Sequence, residues 1–250
     1  MQDTYIGDEG KGFPLVLVHG FLGSSKMWKP QIDFFKDYFR VITPDLPGFG
    51  RSNKAKSLNS IQSMANLLLD SLEEKEIDKF HLLGHSMGGM VVQEMAKKDG
   101  DKISKLVCYS TGPRGDMPGR FETVDQSREN LKKNGLEITA KKIAKTWFIK
   151  GEDAKYFENC IDVGKQTSVK AADNSLAAIK NWNGVDTLKN IKNETLIVWG
   201  DKDKSYNLEQ IQTLENNIEN NKLIIFKNCA HNVHLERPEQ FNKTIKDFLL

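Results

Sequence analysis

Phe80-His81-Leu82-Leu83-Gly84-His85-Ser86-Met87-Gly88-Gly89-Met90-Val91-Val92 passes from an apolar stretch through G-x-S-x-G into a segment whose apolar residues recur at helical spacing. A serine at that junction is held on a sharp strand-to-helix turn, exposed at the C-terminal edge of a sheet. Glycines flank it because the turn brings neighbouring backbones too close for a Cβ. The five-residue pattern alone arises by chance in roughly one chain in ten of this length. Its surroundings decide its meaning.

Outward from this junction, short β-branched apolar runs alternate with helical patterns, which predicts an α/β fold with a mostly parallel sheet. Strands are expected at 15–18, 41–43, 80–83, 105–109, 196–199 and 223–226. Between them, Ile61, Met64, Ala65, Leu68, Leu69 and Leu72 paint one apolar stripe on a helix, and Met87, Met90, Val91 and Met95 do the same after the serine. A closing helix with Phe241, Ile245, Phe248 and Leu249 starts just after Pro238, a good first-turn residue. The alternation stops between Gly112 and Leu188, where a turn-rich opening leads into helical spacing (Leu136, Ala140, Ile143, Ala144, Trp147, Phe148). The expected organisation is a core of residues 1–112 and 189–250 carrying a helical cap, 113–188, inserted between two strands. A cap so placed lies over the strand C-terminal ends, where open α/β sheets bind ligands.

The 250 residues suffice for such a domain. Lys+Arg 36 against Asp+Glu 34 leaves a formal charge of +2, too balanced for a nucleic-acid groove or a polybasic membrane patch. Three cysteines without a C-x-x-C indicate neither a disulfide framework nor a zinc site. The start shows no basic or apolar leader pattern, and the run 13–23 is too short to span a bilayer, so a cytoplasmic location is the expectation.

A serine hydroxyl needs a base within hydrogen-bond reach, and the base needs a partner that holds its tautomer. In this architecture the chain order is Ser, acid, His. That order points past the strand 223–226 to His231 and His234, and past the strand 196–199 to Asp201 and Asp203. Either carboxylate satisfies the spacing. Asp203 is favoured, because the loop must leave the strand before its side chain turns back.

Five stretches together resemble the α/β-hydrolase superfamily over almost the whole chain: His19-Gly20-Phe21, Asp45-Leu46-Pro47-Gly48-Phe49-Gly50-Arg51-Ser52, Gly84-His85-Ser86-Met87-Gly88-Gly89, Gly200-Asp201-Lys202-Asp203, and His231-Asn232-Val233-His234-Leu235-Glu236-Arg237-Pro238. The resemblance implies the α/β-hydrolase fold, with Ser86 as nucleophile, Asp203 as acid and His231 as base, and with the backbone N–H groups of Phe21 and Met87 as oxyanion hole. It implies no cofactor and no metal. Met87 as first residue of a helix is a sound donor, its N–H being unpaired at the positive end of the dipole; such donors are worth ~3–4 kcal/mol.

Within the superfamily the chain is most similar to capped bacterial serine hydrolases, a group of 3-oxoadipate enol-lactonases, carboxylesterases and C–C bond hydrolases. That implies cleavage of a small-to-medium carboxylic ester or lactone. The alternatives are carbon–carbon cleavage of a diketone or related acid, and a ligand-binding member without turnover. Met90 stands where the menaquinone-pathway lyase of this fold has an arginine, and a serine nucleophile excludes the aspartate-dependent dehalogenases and epoxide hydrolases. Trp28 and Trp147 are candidates to line the substrate pocket, with packing as the plainer reading. Arg114 is a candidate to meet a substrate carboxylate, against a solvated arginine. The partner is a small carbonyl compound; the oligomeric state is not legible.

Overall fold

The six apolar runs expected as strands are strands, and their register places the serine. The computed structural model describes residues 4–250; Met1-Gln2-Asp3, within the start read as lacking a leader, lie outside the described residues. Strands β1 (Ile6–Glu9), β2 (Pro14–Val18), β3 (Arg40–Pro44), β4 (Phe80–His85), β5 (Ile103–Tyr109), β6 (Glu194–Gly200) and β7 (Asn221–Phe226) form one sheet in the order β1-β3-β2-β4-β5-β6-β7. All neighbours are parallel except β1, which pairs antiparallel with β3. β1 is a four-residue edge strand, Ile-Gly-Asp-Glu, with too little apolar content to announce itself in the sequence.

The sheet is buried on both faces, so side-chain alternation divides it between two cores. Val16, Val18, Ile42 and Leu82 face helices α2 (Ile61–Glu73) and α3 (Met87–Asp99), while Leu15, Leu17, Leu83 and Val107 face α1 (Lys29–Phe35) and the closing helix α9 (Pro238–Leu249). The α2 stripe read from the sequence is the buried face of that helix; each of its larger residues contributes about 1.5–3 kcal/mol on burial. The Ser60 side chain caps its first turn.

From β2 the chain moves to β3 on one side and returns to β4 on the other. Such a reversal opens a crevice at the strands' C-terminal ends, and the ends of β2 and β4 carry Gly20 and Ser86. Between β5 and β6 lie α4 (Val124–Ala144), α5 (Phe157–Gly164) and α6 (Val169–Asn181). A capping box of Thr123 and Gln126 opens α4, which breaks at Gly135 (φ 77°, ψ 176°). Arg128–Asp173 (2.8 Å) ties α4 to α6, and the stretch is tied to α3 by Trp182 Nε1 donating to Glu94 Oε1 (2.9 Å). The remaining helices are α7 (Leu208–Asn217) and the short α8 (Val233–Glu236). Among the described residues, no helix is long and apolar enough to cross a membrane.

Beneath the C-terminal edge the packing is polar. Tyr109, at the end of β5, donates to the His231 carbonyl (3.1 Å), shares a hydrogen bond with His234 Nδ1 (2.9 Å) and accepts the His234 N–H (3.0 Å). One hydroxyl therefore anchors the loop between β7 and α8 at three points. His85 packs 4.6 Å from the His231 ring, centroid to centroid. Burial, with the neighbouring His231, lowers His234 to about 3 and holds His85 well below an ordinary imidazole.

Two outcomes follow from these contacts. A Cβ at position 88 would be driven into the backbone carbonyls of Val18 and His19. Gly88→Ala is therefore expected to cost at least ~1–3 kcal/mol and to lower Tm by roughly 2–12 °C. An unchanged melting curve would show that the two backbones part freely. His85 and His234 are neutral when folded, whereas in the unfolded chain each titrates near 6.5. Below that pH the unfolded state binds more protons, so stability falls as pH drops from about 6.5 towards 3. Urea unfolding of His234→Gln should show roughly 2 kcal/mol less loss between pH 7 and 5 than the parent; an identical slope would contradict a neutral His234.

Candidate active site

Ser86 stands at φ 57°, ψ −118°, the left-handed side of the map, on the turn between β4 and α3. A non-glycine residue held there stores of order 1–3 kcal/mol. The surroundings enforce it: the Ser86 N–H donates to the Tyr109 carbonyl (3.0 Å), while its own carbonyl accepts from Thr111 Oγ1 (2.8 Å) and the Gly89 N–H (2.9 Å). Glycine is required nearby. A Cβ on Gly84 would strike the Gly88 carbonyl, and one on Gly20 would stand 2.9 Å from the Ser86 Cβ. The Gly20 loop thus presses on the serine, held in shape by Gly23 N–H to Gly20 C=O (3.0 Å) and by His19, whose ring bridges the Gly20 carbonyl and the Leu46 N–H. Phe21 follows in that loop, and Met87 opens α3 behind the serine.

Of the two carboxylates and two histidines that the sequence leaves in competition, the fold brings one of each together. His231 Nδ1 lies 2.8 Å from Asp203 Oδ2, with side chains 3% and 0% exposed. The other carboxylate oxygen accepts the N–H groups of Ser205 (2.7 Å) and Tyr206 (3.3 Å), so Asp203 is fixed by its own loop. Asp201 is used differently: it accepts the Asn228 N–H (2.7 Å) at the turn after β7. His234 lies beneath the cleft on Tyr109 and Trp28. The His231 ring is flanked by Tyr206, stacked at 5.9 Å and 18°, and by Trp147 at 6.3 Å. Trp147 also accepts the Asn232 N–H on its carbonyl (3.0 Å), and Glu236 takes the N–H groups of Ile149 (2.7 Å) and Ala230 (2.6 Å). These bonds couple the histidine loop to the insertion.

Ser86 and His231 line one cleft together with Phe21, His85, Arg120, Trp147, Ser205 and Tyr206, closed by the apolar side chains Met27, Met117, Ile143, Leu176 and Ile179. Trp147 lines this cleft; Trp28 and Arg114 do not. Trp28 is fully buried under the cleft, 4.8 Å from the His234 ring, and Arg114 faces outward between Asp116 (3.1 Å) and Glu209 (3.3 Å). His85 lines the cleft too.

Among the polar cleft residues, sequence reasoning did not single out Ser205 and Tyr206. Tyr206 lines the cleft with Ser86, and burial raises its pKa. Its position three residues past Asp203, on the loop whose carboxylate takes its N–H, is the signal that could have found it. Arg120 lies in the turn-rich opening of the insertion, where no periodicity marks which side chain turns inward. Among the described residues, no group of three or more His, Cys, Asp or Glu side chains is arranged to hold a metal.

A family model described as the alpha/beta hydrolase fold matches residues 14–238. A pimeloyl-[acyl-carrier protein] methyl ester esterase of Legionella pneumophila is 28% identical, the match covering 99% of this chain and 100% of that protein. An (E)-2-((N-methylformamido)methylene)succinate hydrolase of Acinetobacter baylyi is 25% identical over 97% of this chain and 92% of its own. The enol-lactonase from Burkholderia xenovorans superposes with a TM-score of 0.91 at 22% identity, covering 98% of this chain and 96% of that one, a likeness of fold. With its sheet order, its serine turn and a match over most of its length, the chain belongs to the alpha/beta hydrolase fold family, among relatives that are hydrolases.

Proposed function

We propose that the protein is a serine hydrolase of small-to-medium carboxylic esters or lactones. One observation carries this reading: Ser86, on its strained turn, shares a cleft with a histidine whose Nδ1 is held by a fully buried carboxylate. An imidazole so held keeps its Nε2 free to accept a proton. The names of the relatives, an ester hydrolase among them, support the same reaction class.

In this reading Ser86 Oγ attacks the substrate carbonyl carbon while His231 Nε2 takes the hydroxyl proton and Asp203 stabilises the imidazolium. The N–H groups of Phe21 and Met87 donate to the oxyanion. Collapse of the tetrahedral intermediate breaks the C–O bond, and His231 returns its proton to the leaving alcohol. Water, deprotonated by His231, then cleaves the acyl-enzyme and releases the acid. No cofactor or metal enters the scheme. Residues 113–188 act as a cap over the core of 1–112 and 189–250, because Ile143, Trp147, Leu176 and Ile179 from that stretch form the apolar wall over the serine. A dry wall strengthens the electrostatics of the charge that develops beneath it.

The test is turnover of a short p-nitrophenyl ester and labelling by a fluorophosphonate. Ser86→Ala is expected to abolish labelling and lower kcat by about 10⁶-fold, and Asp203→Asn to lower kcat by about 10⁴-fold. Asp201→Asn, which touches only the contact from the end of β6 to the turn after β7, should stay within about threefold of the parent. Labelling that survives in Ser86→Ala, or an Asp201 variant as impaired as the Asp203 one, would overturn the assignment.

A further inference from the structure

Arg120 is the one lysine or arginine among the described residues that lines the Ser86 cleft, and its neighbours there are mostly apolar. Its position is built. The turn that carries it closes through Arg120 N–H to the Met117 carbonyl (3.2 Å) and docks on the loop of Asp203: Phe121 N–H donates to the Lys204 carbonyl (2.9 Å), and Asn207 Nδ2 to the Pro118 carbonyl (2.9 Å). The guanidinium lies over the Phe121 ring at 4.2 Å, and Nη1 donates to the Glu122 carbonyl (2.6 Å) and Ser127 Oγ (3.0 Å).

What the guanidinium lacks is an ion-pair partner. Among the described residues, no carboxylate pairs with it, and Nε and Nη2 find no acceptor. The nearby Glu122 carboxylate is already committed to Lys142, Ser127 and Asn130 (3.0 Å). Arg120, Lys142 and Glu122 together leave one positive charge at a half-buried position facing the cleft. Burial pulls the Arg120 pKa down, against the attraction of Glu122, so the cation is held at a cost. A bound anion would remove that cost, and free N–H pairs on a planar fork suit a carboxylate. One guanidinium matches one negative charge; a phosphate dianion would leave one charge unmatched, since among the described residues no second lysine or arginine lines the cleft.

The geometry points to Arg120 as the anchor for a carboxylate carried by the substrate, which makes the substrates half-esters of dicarboxylic acids, or lactones bearing a free carboxylate. This rests on the ester or lactone hydrolase reading. The apolar wall between Arg120 and Ser86 then holds the methylenes that separate the anchored carboxylate from the reacting carbonyl, and Tyr206, near both residues, lies alongside.

The test compares monomethyl and dimethyl esters of the straight-chain dicarboxylic acids from succinate to pimelate. At one chain length or more, the parent enzyme should favour the half-ester over the diester by about 10- to 100-fold in kcat/KM, and Arg120→Gln should bring that ratio to about one, with Arg120→Lys between. A ratio near one for the parent at every length, or an unchanged ratio in the Gln variant, overturns the proposal. If Arg120→Gln does not fold, the parent ratio and the Lys variant decide. Glutarate binding, read by calorimetry, separates the two readings. Binding that is lost in Arg120→Gln with no ester turnover in the parent would keep the anion site while ending the hydrolase reading. Turnover of both esters without preference would do the reverse.

Discussion

The contact of backbone on backbone where β4 turns into α3 is the constraint on which the C-terminal edge depends. Gly84 lies against the Gly88 carbonyl, Gly88 against the end of β2, and Gly20 against Ser86 itself. Nothing larger than hydrogen fits at these points, so three chain segments close to within main-chain distance. The consequence is a serine in a conformation it would not choose, held by its hydrogen bonds to Tyr109, Thr111 and Gly89. Local strain of this kind persists only where the surroundings over-determine it. Here they do.

The histidine side of the cleft is secured by a different physics. Its loop is pinned through buried polar groups, with the Tyr109 hydroxyl joined to the His231 carbonyl and to both the ring and the N–H of His234. Each bond is modest in net terms, but an unsatisfied buried partner would cost more than the bond contributes. The cluster therefore favours one arrangement of the loop and demands that its members stay neutral. Protein stability and the pose of His231 are tied to the same groups.

The insertion is joined to both loops, to the acid loop through Phe121 and Asn207 and to the histidine loop through Trp147 and Glu236. Its placement is thus not independent of the site it covers. A side chain such as Arg120 is aimed by bonds to the loop of Asp203, so the positions of Arg120 and Asp203 are linked.

The sequence by itself determined the α/β alternation, the strand runs, the serine turn, and two candidates each for acid and base. These are local matters: residue period, β-branching and glycine placement act within a few positions. The edge strand β1 escaped because four residues with two charges carry no burial pattern. Only the tertiary structure set Asp203 rather than Asp201 against His231, put His234 beneath the cleft, turned Arg114 outward and Trp28 downward, and brought Tyr206 and Arg120 inward. Those outcomes depend on which loops meet at the end of the sheet. The loops carry no periodicity, and the meeting is set by hydrogen bonds between residues far apart in the chain.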